Sequence, residues 1–267
     1  MKLANVLILL AVTTLTSGAI PPPIQPPGEM YSPENLKVLS PSTMLKLTVV
    51  VPKLGAMPEV RKLETQRVAA LKKAKWPRTF LTLSSITGPA QLWTISRFDR
   101  LAALTEDADF IDANAELKQE MERIDAAEGP LLDAKRDVTV TYKPAISYRP
   151  KFDWSQVRYF DILWIQTVQG KQGEYVENRI MTREEHDAGA FDTHQMMYQI
   201  QSGQQAGTFF VMRPMKSMGT LDRLHDADDA EPLSETDKKW KIKLFHESSL
   251  REEEAYWKVE TAMSSVP

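Results

Sequence analysis

Between residues 44 and 51 the chain reads "MLKLTVVV", with Leu45, Leu47, Val49 and Val51 alternating against Lys46 and Thr48. That period of two predicts a half-buried strand. Pro58 then stands where the first turn of a helix tolerates it, and Val60, Leu63, Ala70, Leu71 and Ala74 form an apolar stripe at helical spacing. Lys72, Lys73 and Lys75 suit the C-terminal end of that helix, and Trp76-Pro77 stops it. "RTFLTLSSI" (78–86) and "AQLWTISRF" (90–98) read as two strands joined through Thr87-Gly88-Pro89. A helical stretch from Arg100 to Glu128 follows, and "DVTVTYKPAISY" (137–148) closes the series as a strand.

The same order recurs in the second half. "RYFDILWIQTV" is a strand, "EYVENRIMTREEHDA" a helix, and "HQMMYQIQS" with "GTFFVMRPM" a hairpin around Gly203 to Gly207. "LSETDKKWKIKLFHESSLREE" is helix-compatible and "AYWKVETAMSS" is the last strand. Within it, "KWKIKLF" has the Trp240, Ile242, Leu244 alternation of a strand, but its place in the repeated order makes it helical. Laid over one another with a constant shift of 117 and no gap, the halves share few identities but a common pattern. Val51 falls on Val168, Leu104 on Leu221, and Ala145, Ser147 and Pro150 fall on Ala262, Ser264 and Pro267.

Each half thus reads β-α-β-β-α-β, a ferredoxin-like unit whose helices cover one sheet face. The other face is also apolar and must be hidden. The expected fold class is α+β: two tandem ferredoxin-like modules, 41–150 and 151–267, with antiparallel sheets packed face to face as an intramolecular dimeric α/β barrel. Such a chain would be a monomer by internal pseudo-dimer, or a weak homo-oligomer.

The N-terminus changes the picture of compartment. "MKLANVLILLAVTTLTSGA" has one lysine, an apolar stretch from Leu3 to Leu15 and small residues up to Ala19. This is the plan of a secretory signal peptide (1–19) cleaved after Ala19. The apolar stretch falls short of the ~20 residues that span a bilayer, so no membrane association is expected after cleavage. Residues 20–40, rich in proline, are expected to be an extended linker. Secretion or export to a periplasm follows. The absence of cysteine excludes disulfides and thiolate chemistry, and a net charge of −3 gives no reason to expect nucleic acid.

Two stretches, "ISYRPKFDWSQVRYFDILWIQTVQGKQGEYVENR" (146–179) and "YQIQSGQQAGTFFVMRPMKSMGTLDRL" (198–224), resemble a group of uncharacterised secreted bacterial proteins carrying two modules of the dimeric α/β-barrel superfamily. The resemblance implies the fold and a ligand space between sheet and helices or inside the barrel. It implies no activity, because that superfamily includes cofactor-free monooxygenases, haem-dependent enzymes, isomerases and non-catalytic members.

The densest chemistry lies in "REEHDAGAFDTH" (183–194). His186, Asp187 and His194 would meet around a helix–strand connection and could bind a metal or relay protons, although the helix dipole alone accounts for a histidine there and a solvated or structural role is the simpler reading. Their spacing matches no metal or haem motif, so no metal and no cofactor is expected. Trp93, Trp164, Tyr198 and Phe210 could line an apolar cavity with Thr94 and Gln166 as polar pointers, or be core. The acidic stretch Asp226, Asp228, Asp229, Glu231 lacks calcium-loop spacing. No phosphate loop, G-x-S-x-G, H-E-x-x-H or dinucleotide fingerprint is present. Three readings stay open: an exported protein binding a small apolar or aromatic molecule or a protein partner, a cofactor-independent enzyme on a small aromatic substrate, and a structural protein with a filled barrel.

Overall fold

The computed structural model describes residues 38–39, 41–189, 193–222 and 234–265. The signal segment, nearly all of the proline-rich linker, Asp192 and the acidic stretch around Asp228 lie outside the described residues. The elements are β1 (Val38–Leu39), β2 (Met44–Pro52), α1 (Met57–Lys73), β3 (Phe80–Ser85), β4 (Leu92–Phe98), α2 (Ala102–Ala113), α3 (Ala115–Glu128), β5 (Leu132–Tyr142), β6 (Phe152–Asp153), β7 (Tyr159–Thr167), α4 (Gln172–Gly189), β8 (Met196–Ser202), β9 (Thr208–Met215), α5 (Glu235–Ser248) and β10 (Ser249–Val259).

Eight antiparallel strands close into one barrel in the order β10-β3-β4-β2-β5-β8-β9-β7. The two halves therefore join edge to edge, at β5–β8 and at β10–β3, and their inner faces meet because the sheet curves shut. Closure removes the unpaired edges that two stacked sheets would leave. Inside lie Leu45, Leu47, Val49, Leu83, Trp93, Ile95, Val138, Val140, Phe160, Ile162, Tyr198, Phe210, Met212 and Trp257. Each such buried side chain contributes roughly 1.5–3 kcal/mol relative to exposure. The outer face is apolar as well. Val50, Phe80 and Leu92 pack under α1, and Leu163, Ile165, Met197, Phe209 and Val211 pack with Tyr175 of α4 and Phe245 of α5.

Three expectations need correction. The stretch 100–128 is two helices, because Asn114 leaves helical geometry (φ −113°, ψ 91°) and its side chain caps α3 by accepting from the Leu117 amide at 3.0 Å. Both closing strands begin earlier than their apolar alternation does. β5 starts at Leu132 and ends at Tyr142, and β10 starts at Ser249, so that "SLREE" is strand. Those leading residues are mostly charged and exposed; ladder bonds to β2 and β7, not burial, hold them in place.

The gapless shift of 117 is the third. Lys46 pairs with Ser96 and Thr139 across the first sheet, and Asp161 pairs with Arg213 and Tyr256 across the second. β2 and β7 thus correspond at an offset of 115, whereas β4 with β9 and β5 with β10 correspond at 117. Two extra residues enter at the second hairpin: Leu83 faces Trp93, but Tyr198 faces Phe210. Val51 therefore corresponds to Gln166 rather than Val168. "KWKIKLF" is helical, as its place in the order required, with Leu244 buried and Trp240 and Ile242 exposed.

Candidate functional site

The barrel interior is filled. Trp93, Tyr198 and Phe210 are almost wholly buried, and Trp164 is half-buried among them. Ring centroids lie 3.9 Å apart for Trp93 and Trp257, 5.5 Å for Trp93 and Trp164, and 4.7 Å for Trp164 and Phe210. A cavity of about 20 Å³ remains at one end, bordered by Ser42, Leu45, Arg97, Trp154, Tyr198 and Met212. That is room for a water molecule, about a tenth or less of what a small-molecule site needs. The four aromatics therefore pack as core, and of the residues picked as ligand contacts only Tyr198 borders this cavity. Thr94 lies elsewhere, on the outer face, 3.5 Å from Thr82 between the hydroxyl oxygens. Gln166 is half-buried, and Arg251 and Thr208 are its strand neighbours.

The histidines are not gathered into one site. His186 is half-buried on α4, its ring 5.2 Å from that of Tyr148, and its carbonyl accepts from the Tyr148 hydroxyl. Asp187 is exposed. His194 holds the Arg149 carbonyl through Nδ1 at 2.6 Å, and its ring lies 5.6 Å from Phe152. None of the three lines the barrel cavity or the cleft described next, and no group able to hold a metal ion occurs among the described residues.

The chemistry gathers instead on the outer face of the second half, where α4 and α5 ride over β7, β9 and β10. A cleft of about 260 Å³ opens there. Its apolar walls are Leu163, Phe245 and Ile242, the last exposed at the rim with His246. Arg179 and Asn178 of α4, Arg213 of β9, Lys241 of α5 and Glu252 of β10 supply polar walls.

Beside the cleft, Asp161 is fully buried and accepts from Arg213 Nη1 at 2.7 Å, while Glu254 lies 3.8 Å from the same nitrogen. One guanidinium thus serves two carboxylates. Burial pushes the Asp161 carboxyl up to about 7, with Glu254 adding repulsion and Arg213 opposing the rise. Lys241 is ion-paired with the buried Glu185. Arg179 is arranged differently. Its Nε and Nη2 donate to Asn178 Oδ1 at 3.0 and 2.7 Å, and Asn178 is itself pinned by donating to the Lys241 carbonyl at 2.8 Å. The guanidinium lies 5.7 Å from the Tyr175 ring centre and 5.6 Å from that of Phe245, and it forms no ion pair among the described residues. Burial holds its pKa below the usual arginine value. Tyr175, fully buried nearby, has a hydroxyl with no hydrogen-bond partner among the described residues, and burial pushes its phenol up to about 12.

The corresponding place in the first half carries an ion-pair network, beside an open hollow of about 500 Å³ bordered by Asp125, Glu128, Leu132 and Lys135. Counting from the helix start, Glu64 of α1 stands where α4 has Arg179, and Lys135 stands in the strand row where β10 has Glu252. Arg67 bridges Glu64 at 2.9 Å and Glu128 at 3.0 Å, and Lys135 reaches Glu128 at 2.9 Å and Asp125 at 3.1 Å. The charge signs are inverted between the halves at these two positions, and of the four residues only Arg179 and Glu252 form no ion pair among the described residues.

No protein-family model matches the chain, and no curated protein matches it in sequence. Solved structures do. A putative monooxygenase from Fusobacterium nucleatum superposes with a TM-score of 0.55 at 10% identity, covering 83% of this chain and 94% of that one. An anthrone oxidase-like protein gives 0.54 at 9%, covering 84% and 94%. A chlorite dismutase variant from Candidatus Nitrospira defluvii gives 0.51 at 11%, covering 86% and 96%. At such identities the likeness shows the fold alone, that of the dimeric α/β-barrel proteins.

Sequence reasoning missed Arg179, Arg213, Asp161 and Glu252 as a group. One signal was available: Asp161 interrupts the apolar run of "RYFDILWIQ", and a carboxylate on a buried strand requires a partner.

Proposed function

We propose that this chain is an exported small-molecule-binding protein whose ligand sits in the cleft between the second half's sheet and α4–α5. The observation that carries the reading is the asymmetry between the halves: the first half's hollow is lined by the ion-paired Asp125, Glu128 and Lys135, while the second half's 260 Å³ opening joins the apolar walls Leu163, Phe245 and Ile242 to Arg179. The matching strand rows support two tandem ferredoxin-like modules, of which one has specialised for binding. An internally closed barrel suits a monomer, and the Leu3–Leu15 segment with Ala19 supports cleavage and export.

A thermal-shift screen of small apolar and aromatic compounds tests this. Hits on the wild type should vanish in Ile242→Trp, which fills the mouth from an exposed rim position, and persist in Ala69→Trp on the far groove between α1 and α3. Hits indifferent to Ile242→Trp would refute the site.

A second reading, a cofactor-independent enzyme on a small aromatic substrate, draws on a different observation. Asp161 beside the cleft holds its proton near neutrality, as a proton-transfer group must. A putative monooxygenase and an anthrone oxidase-like protein share the fold. Loss of turnover of any hit compound in Asp161→Asn, with binding retained, would favour it.

A further inference from the structure

We propose that the cleft's ligand is a small carboxylate on an apolar body, received by Arg179. This deepens the binding reading above and rests on it.

The argument begins with which cations are already committed. Arg213 is tied to Asp161 and Lys241 to Glu185. Arg179 alone among the cleft's arginines and lysines forms no ion pair among the described residues, and two of its N–H groups are spent on Asn178 Oδ1. A guanidinium carries five such donors, so three remain. Glu252 and Glu185 act on this half-buried cation only from beyond ion-pair distance, so an anion reaching its remaining N–H groups would be its first direct charge partner among the described residues.

Preorganisation points the same way. Asn178 is wholly buried and pinned to α5, and it fixes the guanidinium plane through two bonds. Tyr175 and Phe245 flank that plane. A fixed, planar fork suits a planar carboxylate. The charge of the ligand is limited by the surroundings: Glu252 lies on the cleft wall and Glu254 beside Arg213, so a dianion such as a phosphate would meet repulsion that a single charge largely escapes. Leu163, Ile242 and Phe245 define the rest of the molecule as apolar.

Phenylacetate and phenylacetamide are the probes, since they differ in little but the charge. Calorimetric titration of the signal-free chain should show phenylacetate binding at least about tenfold more tightly than the amide. Arg179→Met, which keeps the apolar stem, should weaken phenylacetate by about 10- to 100-fold and leave the amide unchanged. Should that variant unfold, Arg179→Gln and the salt dependence of phenylacetate affinity in the wild type carry the same test. Equal affinity for acid and amide, or indifference to the Arg179 change, would overturn the carboxylate while leaving the cleft as a neutral site. Silence from both probes would also overturn it, and the compound screen then decides separately whether the cleft binds anything.

Discussion

Ser264 Oγ accepts a hydrogen bond from the Thr82 amide at 2.9 Å, tying the end of the chain to the second strand of its first half. Ser147 Oγ accepts from the Met197 amide at 3.0 Å, tying the end of the first half to the corresponding strand of the second. Each serine also donates to a carbonyl four residues back, Glu260 and Lys143 respectively. The shared "Ala-apolar-Ser" endings are therefore two staples, one on each seam of the barrel.

Ser264→Ala and Ser147→Ala should each lower unfolding stability by about 1–2 kcal/mol, because each leaves a buried amide without its acceptor. The seams are separate, so the double variant should show the sum within about 0.5 kcal/mol. Urea unfolding of the four proteins measures this. A strongly non-additive double variant would mean that the seams open together.

Gly203 and Gly88 share a left-handed backbone, φ +81° and +75°, but not surroundings. A Cβ at Gly203 would lie 2.0 Å from the Asp137 carbonyl oxygen, across the β5–β8 seam, whereas nothing stands within 4 Å at Gly88. Gly88→Ala should cost roughly 1 kcal/mol from conformation alone. Gly203→Ala should cost clearly more, since backbone on both sides must move. Equal midpoint shifts for the two would refute the close approach.

Glu64 gives a pH signature. Burial pushes its carboxyl up to about 7 against an ordinary 4.5, Arg67 opposing and Glu128 reinforcing the rise. The folded state holds this proton more tightly than the unfolded chain does, so stability is lost as pH climbs from 4.5 to 7 and the loss is constant above. Glu64→Gln should be near neutral at pH 4 and more stable than wild type at pH 8, by about 1–3 kcal/mol. Its amide oxygen can still accept from Arg67. Denaturant midpoints across that range would show the gap opening, and a gap independent of pH would count against a shared proton.

Asn114 separates α2 from α3, and its side chain caps the latter. Asn114→Ala should lower stability by about 1 kcal/mol. Asn114→Asp should restore it, and both are readable by thermal unfolding.

Much of the fold was legible in the chain because periodicity records which face of a strand or helix is buried. The strands "MLKLTVVV" and "TFFVMRPM", the stripe of α1 and the helical assignment of "KWKIKLF" all follow from local pattern combined with the repeated order. The ends of β5 and β10 were hidden because charged residues such as Lys135 and Glu252 are held there by ladder bonds, which leave no hydrophobic trace. The 115 offset was hidden because two hairpin residues shift the register without disturbing any alternation.

By itself the sequence determined most of the succession of strands and helices and the need to bury both faces of an antiparallel sheet. Tertiary structure alone decided where a ligand could go. Closure of the barrel turned Trp93, Trp164, Tyr198 and Phe210 into core, and strand pairing with helix packing inside the second half brought Asp161, Arg179, Arg213 and Glu252 together from four separate elements. Polarity at one position is visible along the chain; whether a charge finds its partner depends on which distant residue the fold sets beside it, and among the described residues none forms an ion pair with Arg179.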